Sequence, residues 1–331
     1  MEKVILAIET SCDETAAAVT KGRKVLSSIV YTQKDHEKFG GVVPEIASRN
    51  HIVKLPEIID DALNGAGMDF SDIEAVAVTD GPGLIGALLV GVSYAKALAY
   101  YFSLPLIPVN HIEGHICSLY ITHPDLTPPF LCLVVSGGHT HIVMVEDYGK
   151  YRLIAQTRDD AVGEAFDKTA RTLGLGYPGG PALENLAGQG EARYVYPRGF
   201  KGETHLDFTF SGLKTAVINH MHNMDQIGKT YEKADIAASF QKEAVSFLED
   251  NTFEAARREG IKKIGIAGGV SSNGALRHAF EQRSMQEGAA LYLPKKKYCT
   301  DNAAMIGCAA GFSKTCSDPL RLNANASKKL L

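Results

Sequence analysis

The stretch "VILAIETSCDETAAAVT" covers residues 4 to 20, and its pattern decides how the chain begins to fold. Val4–Thr10 is a short apolar run that ends in polar residues, which is typical of a buried strand. "TAAAVT" and "KVLSSIV" follow at strand length, with a turn at Lys21–Gly22 between them. Consecutive strands with short connections predict a three-stranded antiparallel meander.

Helices and strands alternate after the meander. Apolar residues at helical spacing cover Ala47–Gly65, and Ile73–Thr79 is a further buried strand. A long apolar helix follows at Leu84–Phe102, where the charge of Lys96 favours a buried core helix over a membrane span. Pro105–Val109 is another strand, and the segment "HIEGH" opens the next helix.

The same order of elements then occurs a second time. Pro129–Ser136 is an apolar strand that ends in glycines, and "THIVMVE" and "YRLIAQT" complete a second meander. Two such units predict a duplicated α/β fold with two lobes and a central cleft. The first lobe would comprise residues 1–110 plus about 295–331, and the second residues 111–294. The final "LNANASKKLL" is expected to fray.

Composition limits the classes of function. The 331 residues are 45 % hydrophobic and 22 % charged, as in ordinary globular proteins. The net charge of −4 provides no overall positive field, so a nucleic-acid partner would need a local basic patch. Six scattered cysteines without a CxxC pair suit reduced thiols in the cytoplasm. No signal peptide is predicted at the start of the chain.

Three predicted strands run directly into glycine, in "VTDGPGLIGA", "VVSGGHT" and "GIAGGVSSNG". Glycine after a strand lets backbone N–H groups approach an anion, and a helix start adds partial positive charge. Together with "GYPGGPALE", these turns favour a nucleotide or phosphate ligand over ordinary strand-to-helix connections. None matches the P-loop or the GxGxxG pattern, so neither a P-loop NTPase nor a Rossmann dehydrogenase is predicted.

Acidic side chains accompany the glycine turns. Asp13 and Glu14 follow the first strand, and Glu164 and Asp167 lie one turn apart on a predicted helix. Carboxylates near a phosphate site can hold a metal ion, bind a ribose hydroxyl or act as a base. A solvated helix face that includes Lys168 explains the second pair equally well.

The segment "HIEGH" places His111 and His115 on one face of a helix, where both can bind one metal ion. Paired surface or core histidines are the alternative. A zincin protease needs glutamate directly after the first histidine, but Glu113 is turned about 200° from His111. A metallopeptidase is therefore disfavoured. Asp301 in "CTDNAAM" is the candidate third ligand, although its place at a helix start also suits an N-cap.

Seven motifs together resemble the bacterial TsaD family, the tRNA N6-adenosine threonylcarbamoyltransferases. They span about Val4–Gly311 in order and read "IETSCDET", "HIEGH", "VVSGGHT", "GEAFDKTAR", "FTFSGLKT", "AGGVSSN" and "CTDNAAM". The resemblance implies the ASKHA fold of actin-like ATPases, hsp70 proteins and sugar kinases. That implication agrees with the duplicated order of elements.

The resemblance also implies a reaction and its participants. A threonylcarbamoyl group would pass from threonylcarbamoyl-AMP to N6 of the adenosine 3′ of the anticodon, in tRNAs reading ANN codons (t6A formation). One divalent metal ion per subunit, Fe2+ or Zn2+, would be bound by His111, His115 and Asp301. The implied substrate-binding residues are Val134, Val135, Ser136, Gly137, Gly138, Asp167, Gly180, Glu184 and Asn273.

The resemblance further implies a cytoplasmic enzyme that acts with a paralogous ASKHA protein similar to TsaB and a small P-loop ATPase similar to TsaE. No membrane is involved. Asp13 and Glu14 are the candidates for an acid–base role on the attacking amine. Lys295–Lys297, with Arg49 and Arg171, are candidates for contact with tRNA, although a solvated surface explains the lysine run equally well.

Two other functions use the same glycine turns. One is an ASKHA-type ATP-dependent kinase or ATPase, and the other is a nucleotide-binding regulatory protein without chemistry. Neither function requires two histidines with a carboxylate as the third metal ligand. The set His111, His115 and Asp301 therefore favours the transferase.

Overall fold

The computed structural model describes residues 2–200 and 205–330. The chain forms two compact units. The first comprises residues up to Thr127, Asp147–Tyr151 and the residues from Pro294 onward. The second comprises Pro128–Glu146 and Arg152–Leu293. Each unit contains one five-stranded sheet with helices packed against it.

The sheet of the first unit has the order β3-β2-β1-β4-β5. Its strands are β1 (Val4–Glu9), β2 (Glu14–Lys21), β3 (Lys24–Thr32), β4 (Ala75–Gly81) and β5 (Leu106–Asn110). Antiparallel pairing of β1 with β2 and of β2 with β3 confirms the predicted meander. β1, β4 and β5 are parallel to one another, so their carboxyl ends meet at one edge of the sheet.

The second sheet has the order β10-β9-β6-β7-β8. Its strands are β6 (Phe130–Val135), β7 (Thr140–Asp147), β8 (Lys150–Gln156), β9 (Lys263–Ala267) and β10 (Ala290–Tyr292). β6 is antiparallel to β7 and parallel to β9, which is parallel to β10. Read in reverse, this is the order of the first sheet, and the predicted duplication is confirmed.

The helices of the described residues include those predicted at Ala47–Gly65, at Leu84–Phe102 and from His111. In chain order they are α1 (Pro44–Ala66), α2 (Ile85–Tyr101), α3 (His111–Thr122), α4 (Val162–Thr172), α5 (Gly179–Ala187), α6 (Ser211–Gln226), α7 (Lys233–Glu259), α8 (Gly274–Glu287) and α9 (Ala303–Ala310). Helix α5 was not predicted, because its sequence opens with two glycines and a proline, which are typical of a turn.

The predicted lobe boundary at residue 110 differs from the division into compact units. Residues 111–127 lie in the first unit, because α3 packs against α9 and β5 there. Helix α2 buries one face, which includes Ala87, Leu88 and Val92. Its other face is exposed at Ile85, Leu89, Tyr100 and Tyr101, so the prediction of a buried core helix holds for one face only. No helix among the described residues is long and apolar enough to cross a membrane.

Each unit has its own apolar core. In the first, side chains of β1 and β4 such as Leu6 and Val76 pack with Leu55 and Ile59 of α1. In the second, Leu133 of β6 belongs to a core with residues of α4 and α7. Burying one such side chain fully contributes about 1.5–3 kcal/mol. The two sheets are therefore rigid platforms on which the residues beyond the strand ends are held.

The expectation that the final residues fray is wrong. Asn325 N donates to the carbonyl oxygen of Asp80 at 2.8 Å, and Lys328 Nζ pairs with the Asp80 carboxylate at 2.6 Å. The polar composition of this segment suggested a solvated tail. Those polar groups instead bind nearly buried partners at the end of β4.

Candidate functional site

The first candidate site lies where the parallel strands of the first sheet end. Glu9 is the last residue of β1, and Thr79 lies close to the end of β4. Asn110 ends β5 and caps α3, because its Oδ1 accepts a hydrogen bond from the N–H of Ile112 at 2.9 Å. His111 therefore begins its helix at the edge where strand ends of an α/β sheet commonly bind ligands.

The three predicted metal ligands are close together in this unit. His111, His115 and Asp301 each offer a ligand atom, and these atoms all lie within 4.8 Å of one another. Asp301 Oδ1 is 3.2 Å from Nε2 of His115 and 3.5 Å from Nε2 of His111. The arrangement on one helix face that the HxxxH spacing predicted is therefore present.

Asp301 is not the N-cap of α9. That role belongs to the next residue, Asn302, whose Oδ1 accepts a hydrogen bond from the N–H of Met305 at 3.0 Å. Asn302 is 1 % exposed, so the cap is buried beneath the turn that carries Asp301. The carboxylate of Asp301 is thereby available to the two histidines.

Glu9, for which no role was predicted, supports His111 from the other side. Its Oε2 accepts a hydrogen bond from the Thr79 hydroxyl at 2.6 Å and lies 3.1 Å from Nδ1 of His111. The Ser11 hydroxyl is 3.1 Å from the same nitrogen, and Ser11 N donates to the other Glu9 oxygen. A carboxylate on Nδ1 fixes the tautomer that leaves Nε2 free for a metal ion. The sequence signal was a single charge ending an otherwise apolar strand, "VILAIE".

The residues present fit a metal ion. His115 is fully buried, and in the described part of the chain neither of its ring nitrogens makes a hydrogen bond. A buried polar atom that makes no hydrogen bond costs about 1–3 kcal/mol. Nε2 lies 3.2 Å from the Asp301 carboxylate, and a metal ion bound by both groups would supply the missing interaction. Two imidazoles and one carboxylate form a donor set that suits Zn2+ or Fe2+.

The protonation of the two histidines differs. Burial lowers the pKa of His115 below its usual value, which favours the neutral form that a metal ligand needs. Burial also disfavours a charged His111, but the carboxylates of Asp301 and Glu9 outweigh it and raise the pKa of His111 to about 9. A cation bound at His111 would take the place of that proton.

The two predicted acid–base residues lie in the same unit, between β1 and β2. The carbonyl oxygen of Asp13 accepts a hydrogen bond from Gln33 N at 3.3 Å, and Glu14 begins β2. Burial, and then the negative charges of Asp301 and Asp13, raise the pKa of Glu14 well above its ordinary value. Glu14 is thus within electrostatic range of the histidine–aspartate cluster.

The second candidate site lies in the second unit, in the turn after β6. Val134 and Val135 are fully buried in the strand, so a ligand would meet the exposed turn after them instead. Ser136 N donates to the carbonyl oxygen of His139 at 2.9 Å, which closes a tight turn. A side chain at Gly137 or Gly138 would meet no atom within 4 Å, so the backbone of this turn faces open space.

The other predicted substrate residues hold the starts of helices in this unit. Asp167 Oδ1 accepts a hydrogen bond from Gly180 N at 3.0 Å, and Glu184 Oε1 accepts one from Gly274 N at 2.7 Å. Asn273 caps α8 through the N–H of Leu276. These carboxylates occupy backbone donors of the helix starts, so they organise the glycine turns around them.

The paired spacing of Glu164 and Asp167 does not produce a joint site. Glu164 forms an ion pair with Lys168 at 2.9 Å on the outer side of α4. Asp167 instead bonds to Gly180, as described above. The alternative prediction, a solvated helix face, therefore holds for Glu164 but not for Asp167.

Close backbone approach explains two of the glycines in the second unit. A β-carbon on Gly163 would lie 2.5 Å from the carbonyl oxygen of Ser136, and one on Gly268 would lie 2.3 Å from that of Val135. The start of α4 and the turn after β9 therefore pack directly on the end of β6. All nine predicted substrate residues consequently belong to one end of the second sheet.

Comparison with known proteins identifies relatives over the whole chain. The TsaD family model, described as tRNA N6-adenosine threonylcarbamoyltransferase, matches residues 24–308. A protein of that name from Clostridium perfringens is 53 % identical and covers 99 % of this chain and 98 % of its own length. A protein of the same name from Caldicellulosiruptor bescii is 53 % identical and covers 92 % and 90 %.

Solved structures agree with the fold. Full-length HypF superposes with a TM-score of 0.62 at 18 % identity, over 94 % of this chain and 46 % of HypF. Component A of the (R)-2-hydroxyglutaryl-CoA dehydratase of Acidaminococcus fermentans superposes with a TM-score of 0.53 at 15 % identity. The match covers 93 % of this chain and 95 % of component A. These ASKHA-type structures establish the duplicated architecture. The sequence relatives establish more: this chain belongs to the TsaD family of tRNA N6-adenosine threonylcarbamoyltransferases.

Proposed function

We propose that this chain transfers a threonylcarbamoyl group from threonylcarbamoyl-AMP to N6 of the adenosine 3′ of the anticodon, in tRNAs that read ANN codons. The observation that carries the proposal is 53 % identity over 99 % of the chain to a protein named for the N6-adenosine transfer. The kinase or ATPase alternative is not favoured, because those relatives are transferases.

The metal ion of the proposed enzyme would be bound by His111, His115 and Asp301, with Glu9 fixing the tautomer of His111. The buried ring of His115, whose nitrogens make no hydrogen bond within the described residues and whose Nε2 lies 3.2 Å from Asp301 Oδ1, supports this assignment. Bound there, Fe2+ or Zn2+ would act as a Lewis acid that stabilises negative charge on a substrate oxygen. One ion per subunit is expected.

The proposed reaction needs no covalent bond to the protein. The adenosine N6 amine attacks the carbonyl carbon of the mixed anhydride, and a C–N bond forms. The C–O bond to the adenylate phosphate breaks, and AMP leaves with the electron pair. The amine nitrogen gives up one proton, for which Glu14 or Asp13 would be the acceptor.

The nucleotide part of the donor would bind the second unit. The backbone at Gly137 and Gly138 faces open space, and the starts of α4, α5 and α8 lie at the same end of the sheet. The N–H groups of Gly180 and Gly274 already donate to Asp167 and Glu184, so the exposed Gly137–Gly138 turn is where a phosphate would meet backbone N–H groups. Asp167, Gly180, Glu184 and Asn273 would keep these starts in place.

The proposed enzyme is cytoplasmic and acts together with a TsaB-like ASKHA protein and a TsaE-like ATPase. The absence of a membrane-spanning helix among the described residues is compatible with this location.

The test is transfer of labelled threonine to unmodified tRNA. The reaction contains the chain, both partner proteins and an upstream source of threonylcarbamoyl-adenylate. Label in tRNA is expected for the wild type and for His222→Ala, an exposed histidine remote in sequence from the cluster. Label should be lost in the His111→Ala/His115→Ala double variant. If the folded, metal-loaded wild type gives no label in tRNA, the proposal is wrong. The kinase or ATPase alternative would then be favoured.

A further inference from the structure

The last part of the sequence packs across the edge of the first sheet where β4 and β5 end. We name residues Asn325–Lys329 the strap. Besides the bond from Asn325 N to Asp80, the N–H of Gly83 donates to the carbonyl oxygen of Ala326 at 3.2 Å. The strap thus forms backbone hydrogen bonds both with β4 and with the turn that follows it.

A bulge in β4 makes this contact possible. The pairing of β4 with β5 shifts register between Thr79 and Gly81, which leaves Asp80 as an extra residue. The carbonyl oxygen of Asp80 is therefore available to the strap. Asp80 is 6 % exposed, and its carboxylate accepts hydrogen bonds from Lys328 Nζ at 2.6 and 2.8 Å. Without Lys328, a nearly buried carboxylate would lack this cation.

The strap also touches the residue that starts the helix with both histidines. Asn110 Nδ2 donates to the backbone carbonyl oxygen of Lys329 at 3.0 Å, while Asn110 Oδ1 caps α3 through Ile112 N. Asn110 is 6 % exposed. Its amide is therefore held at both ends, by the strap and by the first turn of α3, directly before His111.

A second chain of contacts leads from the strap to His111. The turn that the strap contacts at Gly83 continues to Leu84, whose N–H donates to the carbonyl oxygen of Ser11 at 2.8 Å. The Ser11 hydroxyl lies 3.1 Å from Nδ1 of His111. The strap therefore supports His111 through its backbone, by way of Asn110, and through its ring, by way of Ser11.

We infer that the strap is a positioning element for the metal centre, and that Asn110 and Lys328 are positioning residues that hold His111 in its ligating place. The inference rests on the proposed metal site. It assigns a role in metal affinity to residues that do not themselves touch the metal ion.

Three variants test the strap, one by truncation and two by substitution in the full chain. A chain ending after Ala324 removes it, Lys328→Met removes the ion pair, and Asn110→Ser keeps a capping oxygen but loses the amide that reaches Lys329. The matched control is Lys329→Ala, because Lys329 bonds through its backbone carbonyl. Each protein is titrated with Zn2+ against a chromophoric chelator. Amide hydrogen exchange at Ile112 is measured without metal, and the thermal midpoint is recorded.

The three test variants should bind Zn2+ at least about 10-fold more weakly, as for other residues that orient metal ligands. Exchange at Ile112 should quicken in them, and Lys329→Ala should match the wild type. If truncation unfolds the chain, the zinc affinities of Lys328→Met and Asn110→Ser decide whether the strap positions the metal centre. Wild-type zinc affinity in both would overturn the inference. If the wild type binds no zinc, the proposed metal site is wrong. In that case unchanged amide exchange at Ile112 in the variants would also contradict the positioning role of the strap.

Discussion

At the scale of single residues, the candidate metal centre depends on a carboxylate that does not belong to its ligand set. Glu9 is fully buried, and its partners include Thr79, Ser11 and the ring of His111. A buried charge is tolerated only when such partners compensate for lost solvent. The structure therefore retains a costly group at the end of β1, where it orients His111.

Replacing this charge should weaken metal binding without removing a ligand. Glu9→Gln keeps the size of the side chain but removes the negative charge next to His111 Nδ1. We expect Zn2+ affinity to fall about 10- to 100-fold, measured by competition with a chromophoric chelator. Glu74→Gln is the matched control, because Glu74 accepts a hydrogen bond from Val4 N in the same sheet. Equal affinities of wild type and Glu9→Gln would contradict the orienting role.

Glu14 tests the proton transfer instead of the metal ion. Glu14→Gln cannot accept the amine proton, so kcat for threonylcarbamoyl transfer should fall about 100-fold or more. The tRNA concentration at half-maximal rate should change little. Glu164→Gln, on the outer side of α4, serves as the control. A full rate in Glu14→Gln would exclude Glu14 and leave Asp13 as the candidate.

At the scale of elements, the helix caps decide which polar residues are free to act. The sequence "CTDNAAM" offers two adjacent capping residues, and composition alone does not distinguish them. In the structure Asn302 caps α9 and Asp301 faces the histidines. The same division occurs at α3, where Asn110 caps the helix and His111 faces Asp301.

Loss of the α9 cap should affect stability and metal affinity together. Asn302→Ala should lower the free energy of unfolding by about 1 kcal/mol, as measured by urea denaturation. Zinc affinity should fall as well, because the turn that carries Asp301 loses its anchor. Asn273→Ala removes the cap of α8 in the second unit and should cost similar stability. An equal loss of zinc affinity in that control would show that the effect is general destabilisation.

The lysine run before Asp301 is a short, fixed and exposed basic element. Lys295–Lys297 are exposed, whereas Tyr298 is buried, and Lys295 N donates to Thr122 Oγ1 at the end of α3. If tRNA binds these lysines, Lys295→Gln/Lys296→Gln/Lys297→Gln should weaken tRNA binding. The slope of log affinity against log salt should become shallower by about one for each phosphate that the variant no longer neutralises.

A charge-matched control separates a specific tRNA surface from an effect of net charge. The exposed residues Lys21, Lys24 and Lys34 lie in the same unit and are changed to Gln together. Binding is measured at several salt concentrations for both triple variants. Equal weakening in the two variants would assign the effect to net charge and exclude the lysine run as a tRNA surface.

Sequence periodicity was sufficient for most elements but not for their contacts. The strand Val4–Glu9 is strongly apolar and helix α1 has apolar residues at helical spacing, so their burial was predictable. Helix α5 was missed because glycine and proline at its start favour a turn locally. The strap was misjudged because its partners, Asp80 and Asn110, are more than 200 residues away in sequence. Contacts at that separation leave no local pattern.

At the scale of the whole molecule, the two units have the same strand order but use their sheet edges differently. The first places charged and imidazole side chains beyond β1 and β5. The second places glycine backbone beyond β6 and β9. The motifs are consistent with this division, since "HIEGH" contains two of the candidate metal ligands and "VVSGGHT" contains the exposed glycines Gly137 and Gly138. Side chains suit a metal ion, whereas backbone donors suit a phosphate.

Because the ligand set lies wholly in the first unit, metal binding should stabilise that unit selectively. An ion that binds only the folded state adds about 2.7 kcal/mol at a concentration 100-fold above its Kd. Amide exchange in β1, β4 and β5 should therefore slow when Zn2+ is added, while β6 and β9 change little. The His111→Ala/His115→Ala variant should show no difference between the two conditions. Equal slowing in both sheets would contradict the assignment of the ion to the first unit, because a ligand protects most strongly the cooperative unit whose folded state it binds.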